Sequence, residues 1–201
     1  MNEAPHVPFD PSIFYVGNPV ALVTTHSPDG TVNIGPTSST FVLGRTLVMG
    51  WEESAATAAN LAKQRQAVVN FPAPAQWSHV DAIATLTGKN PPAAHKADQF
   101  TYTNDKWTPG GFTPQPATHV QPPRIAECPL QCEVTVTSIY PARGVDADRF
   151  LIVETSIETI HATTDVLSDP THIDTTEWSP LLYVFRDYHG TGSRLGTSRR
   201  T

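Results

Sequence analysis

Leu130-Gln-Cys-Glu-Val-Thr-Val136 is the stretch that decides the fold. Leu130, Cys132, Val134 and Val136 are apolar, and Gln131, Glu133 and Thr135 stand between them. A period of two is that of a half-buried antiparallel strand. Phe150 to Ile160 repeats the pattern, with Glu154, Ser156 and Glu158 on one face and Val153 and Ile157 on the other. Toward the N-terminus, Val20 to Thr25 is a β-branched strand, and Ser27-Pro-Asp-Gly30 is a turn signal. Thr31 to Ile34 then reads as the return strand of a hairpin, which Gly35-Pro36 interrupts. Further short strands are expected at Phe41 to Leu43, Arg45 to Trp51, Ala67 to Phe71 and Leu181 to Phe185.

Helix is expected twice. Ser54 to Arg65 is alanine-rich, with Ser54 as a candidate N-cap and Lys63 and Arg65 where cations suit the helix dipole. Residues 75–87 read as a second helix. These short strands and two helices, without regular alternation, give a mainly β class: an antiparallel, Greek-key-like barrel with helical decorations. The length fits a single domain over 1–201, with an N-terminal arm over 1–14 and a stiff proline-rich loop over 107–123.

Proline accounts for 19 of the 201 residues, which limits helix and favours short strands on stiff loops. Thirteen Lys and Arg stand against 19 Asp and Glu, for a net charge of -6. No basic stripe is present, so nucleic acid and anionic membrane are poor partners. The longest apolar runs, such as Val20-Ala-Leu-Val23, fall far short of a membrane span. Met-Asn-Glu-Ala-Pro-His has neither the basic nor the apolar region of a secretory leader. If Cys128 and Cys132 share a strand they lie roughly 13 Å apart, too far for a disulfide. Free thiols in a reducing, cytoplasmic compartment are the expectation.

Several motifs fail. Gly190-Thr-Gly-Ser-Arg-Leu-Gly196 approaches a dinucleotide fingerprint, but its spacing is one residue too long, and no room remains for the helix and strand such a site needs. His161, Asp165, Asp169, His172 and Asp174 match no metal-ligand spacing and read as loop residues. No nucleophile elbow supports a Ser/His/Asp triad.

Two local features carry chemistry. Asn33-Ile-Gly-Pro-Thr-Ser-Ser-Thr-Phe41 places small hydroxyl residues between two strands. Such a segment leaves backbone open to a flat ring and offers donors and acceptors along its edge; a polar barrel corner is the other reading. Ser54-Ala-Ala-Thr57 opens the alanine-rich helix, where unpaired N–H groups and hydroxyls make an anion site without a nearby lysine. An ordinary N-cap is the alternative there, and Glu52-Glu53 oppose an anion unless they point away.

Both features belong to one ordered set of matches. Asn18-Pro-Val-Ala-Leu-Val-Thr-Thr25 is followed by Asn33 to Phe41, Leu47 to Trp51, and Ser54-x-x-Thr57-x-x-Asn60-Leu61 leading to Val68-Val-Asn70-Phe71. Gly111-Phe-Thr113, Pro122-Pro-Arg-Ile-Ala-Glu-Cys-Pro-Leu-Gln-Cys132, Ile173-Asp174, Trp178-x-Pro180-Leu-x-Tyr183 and Tyr188 complete it. In these pieces the chain resembles the flavin-reductase-like, FMN-binding split-barrel family over roughly residues 15–196. The resemblance implies an FMN-binding oxidoreductase of the NAD(P)H:flavin reductase kind, with FAD as the alternative flavin. It implies that Thr37, Ser38, Ser39 and Thr40 contact the flavin ring and ribityl chain, and that Ser54, Thr57 and Asn60 hold the phosphate. A homodimer with flavin near its interface, and a partner monooxygenase receiving reduced flavin, also follow from it. In such a dimer the tail residues His189 and Arg194 come within reach of a site. Family members often carry an Arg, Lys or His near the phosphate, where this chain has Glu52-Glu53.

The resemblance names no catalytic residue and no metal, because the cofactors carry the redox chemistry themselves. Two other functions fit the same set: FMN as a prosthetic group acting on an organic substrate, and a non-catalytic flavin or tetrapyrrole binder. The pyridoxamine-phosphate oxidases share the barrel type but rely on more basic residues than surround the hydroxyl cluster here.

Overall fold

The computed structural model describes residues 4, 6–11, 13–144 and 149–198. Part of the expected N-terminal arm, residues 1–3, 5 and 12, lies outside them. Among the described residues no helix is long and apolar enough to cross a membrane.

The hairpin read from the sequence is present. After β1 (Val16–Pro19), strands β2 (Ala21–His26) and β3 (Val32–Thr37) pair antiparallel across the Ser27–Gly30 turn. The Gly30 N–H donates to the Ser27 carbonyl at 3.0 Å, and the Asp29 carboxylate accepts from the Thr31 N–H and hydroxyl. Gly30 sits at φ +83°, where glycine carries no steric cost. Contrary to expectation, Gly35-Pro36 does not break the return strand: Pro36 pairs in register with Leu22. β3 is an edge strand, where a missing N–H leaves no neighbour unsatisfied.

β4 (Thr40–Leu43) and β5 (Thr46–Glu52) follow, then α1 (Ala56–Gln64) and β6 (Gln66–Phe71). Ser54 does not cap α1. Its N-cap is Ala55, without a side-chain cap, and the Ser54 hydroxyl donates to Glu52 instead. The expected helix over 75–87 shrinks to a 3₁₀ turn at Pro74–Gln76 and α2 (Trp77–Ala82). Thr85-Leu-Thr87 is β-branched and bordered by Gly88, so it extends instead. Within it, β7 (Leu86–Thr87) pairs in parallel with β8 (Thr101–Tyr102). A four-residue α3 (Trp107–Gly110) and the short pair β9 (Pro114–Gln115) and β10 (Arg124–Ile125) fill the loop-rich segment.

The two alternating segments form the longest strands, β11 (Leu130–Pro141) and β12 (Phe150–Ala162). They sit inside a seven-stranded antiparallel sheet ordered β3-β2-β6-β11-β12-β5-β4. Cys132, Val134 and Val136 face its core as expected. The polar face of β11 is not half-solvated, however: Gln131 and Glu133 are also buried. The proline-rich loop lies across that face. Thr118 and His119 donate backbone N–H groups to the Glu133 carboxylate at 2.7 and 2.5 Å, and Arg124 donates to Gln131 at 2.9 Å. Beyond the short β9, so proline-rich a segment offers few N–H groups for strand pairing, but those left free can be collected by one carboxylate.

One core cluster takes Ala21 and Val23 from β2, Leu47 and Met49 from β5, and Ala58 and Leu61 from α1. Strands distant in the sheet order therefore share one interior, and the sheet curls around α1 as a split barrel. β13 (Leu167–Asp169) and β14 (His172–Ile173) form a small hairpin. β15 (Leu182–Val184) and β16 (Asp187–His189) join β1 in a separate three-stranded sheet. That sheet, and β16 within it, was not anticipated from the sequence. Cys128 and Cys132 are free and buried, with Cys128 in the loop before β11 rather than on a shared strand.

Candidate functional site

The β3–β4 connection, the end of β5 and the start of α1 converge on a cleft of about 800 Å³. Thr37, Ser38 and Ser39 line one side, Gly50 and Trp51 another, and Ser54 to Thr57 a third. The connection is held in shape locally: the Ser39 N–H donates to the Thr37 hydroxyl at 3.1 Å, and the Gly50 N–H to the Ser39 carbonyl at 2.7 Å. The Ser38 hydroxyl has no partner among the described residues and faces the cleft.

Glycines keep the walls thin. A Cβ on Gly35 would stand 2.2 Å from the Thr57 hydroxyl oxygen, and one on Gly50 would stand 3.0 Å from the Ser39 Cβ. Thr57 is 2% exposed and accepts from the Asn33 side-chain amide at 2.9 Å. The other amide atom, Asn33 Oδ1, is buried without a partner among the described residues, as are Thr40 Oγ1 and Trp51 Nε1.

Of the seven residues singled out in the sequence, five line the cleft: Thr37, Ser38, Ser39, Ser54 and Thr57. Thr40 opens β4 and is buried away from it. Asn60 lies further along α1 and lines a neighbouring groove of about 440 Å³. Its amide donates to the hydroxyls of Thr25 at 3.0 Å and Ser27 at 3.3 Å, tying the helix to the first hairpin. Cleft and groove share Asn33, Ser54, Ala55, Ala56, Gly88 and Lys106, so they meet at the α1 N-terminus.

Glu52 lines the cleft but is not a bare anion. It pairs with Lys96 and His95 and accepts from Ser54 at 3.0 Å. Burial raises its carboxyl, and these partners, Lys96 foremost, outweigh the burial and hold it below its ordinary value. Glu53 is exposed and lines the neighbouring groove.

The residue that sequence reading missed is Lys106. It is 4% exposed and donates through Nζ to the Ile34 carbonyl at 2.8 Å, with no carboxylate partner among the described residues. Burial pushes its ammonium down to about 8. Asp105 before it accepts from the Trp107 and Thr108 N–H groups at 2.9 and 3.1 Å, a local turn that turns Lys106 inward. An aspartate heading a short helix is legible in sequence; that the next residue reaches β3 is not.

The tail residues lie elsewhere. His189 borders a shallow depression with Trp77 and Arg186, and Arg194 bonds Thr197 on the surface. The loose cluster does not converge on one point: His172 pairs with its neighbour Asp169, while His161 pairs with Glu133, and among the described residues no three His, Cys, Asp or Glu side chains gather as a metal site.

A family model described as a flavin reductase like domain matches residues 14–192. Uncharacterized protein YdfE of Bacillus subtilis (strain 168) is 37% identical over 192 residues, covering 95% of this chain and 92% of that protein. Among solved structures, flavoredoxin of Desulfovibrio vulgaris (Miyazaki F) superposes with a TM-score of 0.76 at 18% identity, covering 98% of both chains. An FMN-binding domain of a flavin reductases-like enzyme from Shewanella baltica OS155 gives 0.69 at 15% identity, covering 90% of both chains. At such identities the structural likeness establishes the split-barrel fold.

Proposed function

The chain belongs to the flavin reductase like family and is a flavin-dependent oxidoreductase; from that premise we propose that its cleft binds FMN and that NADH or NADPH is the reductant. The observation that carries the reading is the meeting, in one cleft, of a hydroxyl-lined strand connection, a helix N-terminus and a buried lysine without an acid partner. FMN is a flat ring joined to one phosphate, and each part finds matching chemistry. Thr37, Ser38 and Ser39 offer hydroxyl and backbone groups along a ring edge, while Gly35 and Gly50 keep the facing backbone bare. Thr57 stands in the first turn of α1 and Ser54 just before its N-cap, beside backbone N–H groups that lack intrahelical acceptors.

Lys106 supplies the positive charge that an acidic chain seemed to lack. Its cost of burial is relieved by an anion in the cleft, because a charge-assisted hydrogen bond replaces lost hydration. Glu52 does not repel that anion strongly, since Lys96 and His95 already compensate it. FMN supplies the redox chemistry once bound; the protein orients it and keeps water away. In this reading Asn60 supports the helix start from behind, through Thr25 and Ser27, rather than touching phosphate. Thr40, buried where β4 starts beside Ser39, supports the connection without lining the cleft.

We take the working form to be a homodimer. Phe41, Val42 and Leu43 support this: all three are exposed on β4, an edge strand of the large sheet. Exposed apolar edges of this kind are sites for another chain.

Titration of the purified protein with FMN, followed by flavin fluorescence and absorption, tests the cofactor. Steady-state oxidation of NADH and NADPH by the loaded protein tests the reductant. FMN that stays fully fluorescent at high micromolar protein sinks the first part, and loaded protein inert to both nicotinamides sinks the second.

A further inference from the structure

The two ends of the cleft differ in chemistry. Along β3, Lys106 reaches Ile34 and Thr57 meets Asn33 at one end, with Ser54 beside them; beyond the other end Tyr15 meets Ser39, and the rings of Tyr183 and Tyr188 continue the lining from there. The three rings follow one another, with centroids 5.6 Å apart for Tyr15 and Tyr183 and 5.5 Å apart for Tyr183 and Tyr188. Tyr183 and Tyr188 are packed on the second core cluster, which includes Val80 and Leu181, so the wall is backed by apolar side chains. Tyr15 Oη lies 3.3 Å from Ser39 Oγ, so the aromatic wall begins where the hydroxyl notch ends.

Two properties of this end narrow what it takes. The first is charge. Among the described residues the cations lining the cleft are Lys96 and Lys106; Lys96 is paired with Glu52, and Lys106 lies at the opposite end. An anionic acceptor at the tyrosines would leave water for no compensating charge. The second is the donors on offer. The Tyr183 and Tyr188 hydroxyls have no hydrogen-bond partner among the described residues. Burial, with Asp81 and Tyr183 adding to it, pushes the Tyr188 hydroxyl up to about 12, so it stays a neutral O–H donor.

Faces that stack and neutral donors at their edge suit a planar ring bearing carbonyl oxygens. We propose that the tyrosine end of the cleft is an acceptor subsite for an uncharged, planar aromatic carbonyl compound of the quinone class. The inference rests on the reading that the lysine end seats the flavin phosphate. The overall reaction balances as NAD(P)H plus a proton plus quinone giving NAD(P)+ plus hydroquinone. Two electrons and a proton leave the nicotinamide as a hydride equivalent. The second proton comes from solvent, and both quinone carbonyls become hydroxyls.

The test uses FMN-loaded protein, reduced chemically under anaerobic conditions and mixed with 1,4-naphthoquinone in a stopped-flow instrument. Flavin reoxidation is expected to saturate with quinone concentration. In the Tyr183→Phe/Tyr188→Phe double variant, which keeps both rings, the half-saturating concentration is expected to rise about tenfold, the loss of two neutral hydrogen bonds. Replacing the probe by 1,2-naphthoquinone-4-sulfonate is expected to raise it about as much in the wild type, through the unpaired charge. Unsaturable reoxidation, an unchanged half-saturation in the double variant, or equal use of the sulfonate overturns the proposal. So does a parallel fall in FMN affinity, which would make the tyrosines part of the flavin seat. A failure to load FMN at all is seen before quinone is added and sinks the underlying cofactor reading instead.

Discussion

Lys106 and Ile34 are joined by a 2.8 Å hydrogen bond from the ammonium to the backbone carbonyl, across 72 positions of sequence. This bond fixes a cation at the junction of cleft and groove while leaving its charge uncompensated. Lys106→Met is therefore expected to weaken FMN binding by about ten- to a hundredfold, the worth of one charge-assisted hydrogen bond. The apo protein should lose no stability, since a buried unpaired charge is replaced by an apolar chain of similar length. Isothermal titration with FMN and urea unfolding of the apo form check the two halves separately.

The same amine makes opposite pH trends. Its folded value, about 8, lies below the ordinary lysine value of 10.5, so the folded state releases its proton first. Between these two values the unfolded chain binds more protons, and the site's contribution to stability rises with pH. Below pH 8 the penalty is present in full. FMN affinity should move the other way, falling as pH passes about 8 and the cation is lost. Urea midpoints and FMN titrations from pH 7 to 10, on wild type and Lys106→Met, should show both trends only in the wild type.

Glu133 is expected to be the most sensitive acidic residue for stability. It is fully buried and accepts from Thr118, His119 and His161. Burial raises its carboxyl, and these donors together outweigh burial and hold it below the ordinary value. Its stabilisation is thus present above the ordinary carboxylate value and is lost as pH falls through the depressed one. Glu133→Ala should cost about 2–4 kcal/mol by leaving buried donors unpaired, and should free the proline-rich loop for proteolysis. A urea midpoint within error of wild type would show that the carboxylate does not hold the loop.

Gly35→Ala should damage fold and site together. The added Cβ meets Thr57 Oγ1 at 2.2 Å and Trp51 at 3.0 Å, so Thr57 must move. A loss of about 1–3 kcal/mol is expected from overpacking, with weaker FMN binding. Adding Thr57→Ala removes the closest atom and should restore part of the stability but none of the binding. Thermal melts and FMN titrations of the single and double variants check this.

Val42→Lys places a charge on the exposed edge strand β4. Sedimentation velocity is expected to show a dimer for the wild type and a monomer for the variant. A monomeric wild type would remove the apolar edge from the account of assembly.

Where the sequence was legible, and where it was not, has a common physical cause. The alternation at Leu130–Val136 and the Ser27–Gly30 turn are local signals, and both elements formed as read. The hydroxyl segment and the start of α1 were also local, and five of their residues meet in the cleft. What failed depended on distant partners. Gln131 and Glu133 read as solvent-facing because the loop that covers them is far from strand-like. Ser54 read as a cap, but the Glu52 carboxylate competes for its hydroxyl. Glu52 read as hostile to an anion because Lys96, its counter-charge, arrives from a loop 44 positions later. Lys106 carried no pattern of its own, since burial of a lone cation is decided by the whole surround.

The first core cluster spans Ala21 near the start of the chain to Ile157 on the second long strand. No contiguous half of the polypeptide contains a complete interior. A nascent chain must therefore wait until β12 has left the ribosome before its early hairpin can bury its inner face. Such non-local contact order makes for slow closure. During that interval the apolar residues of β2 and β5 lie open to other chains, so the yield of native protein should depend on concentration more than on the stability finally reached.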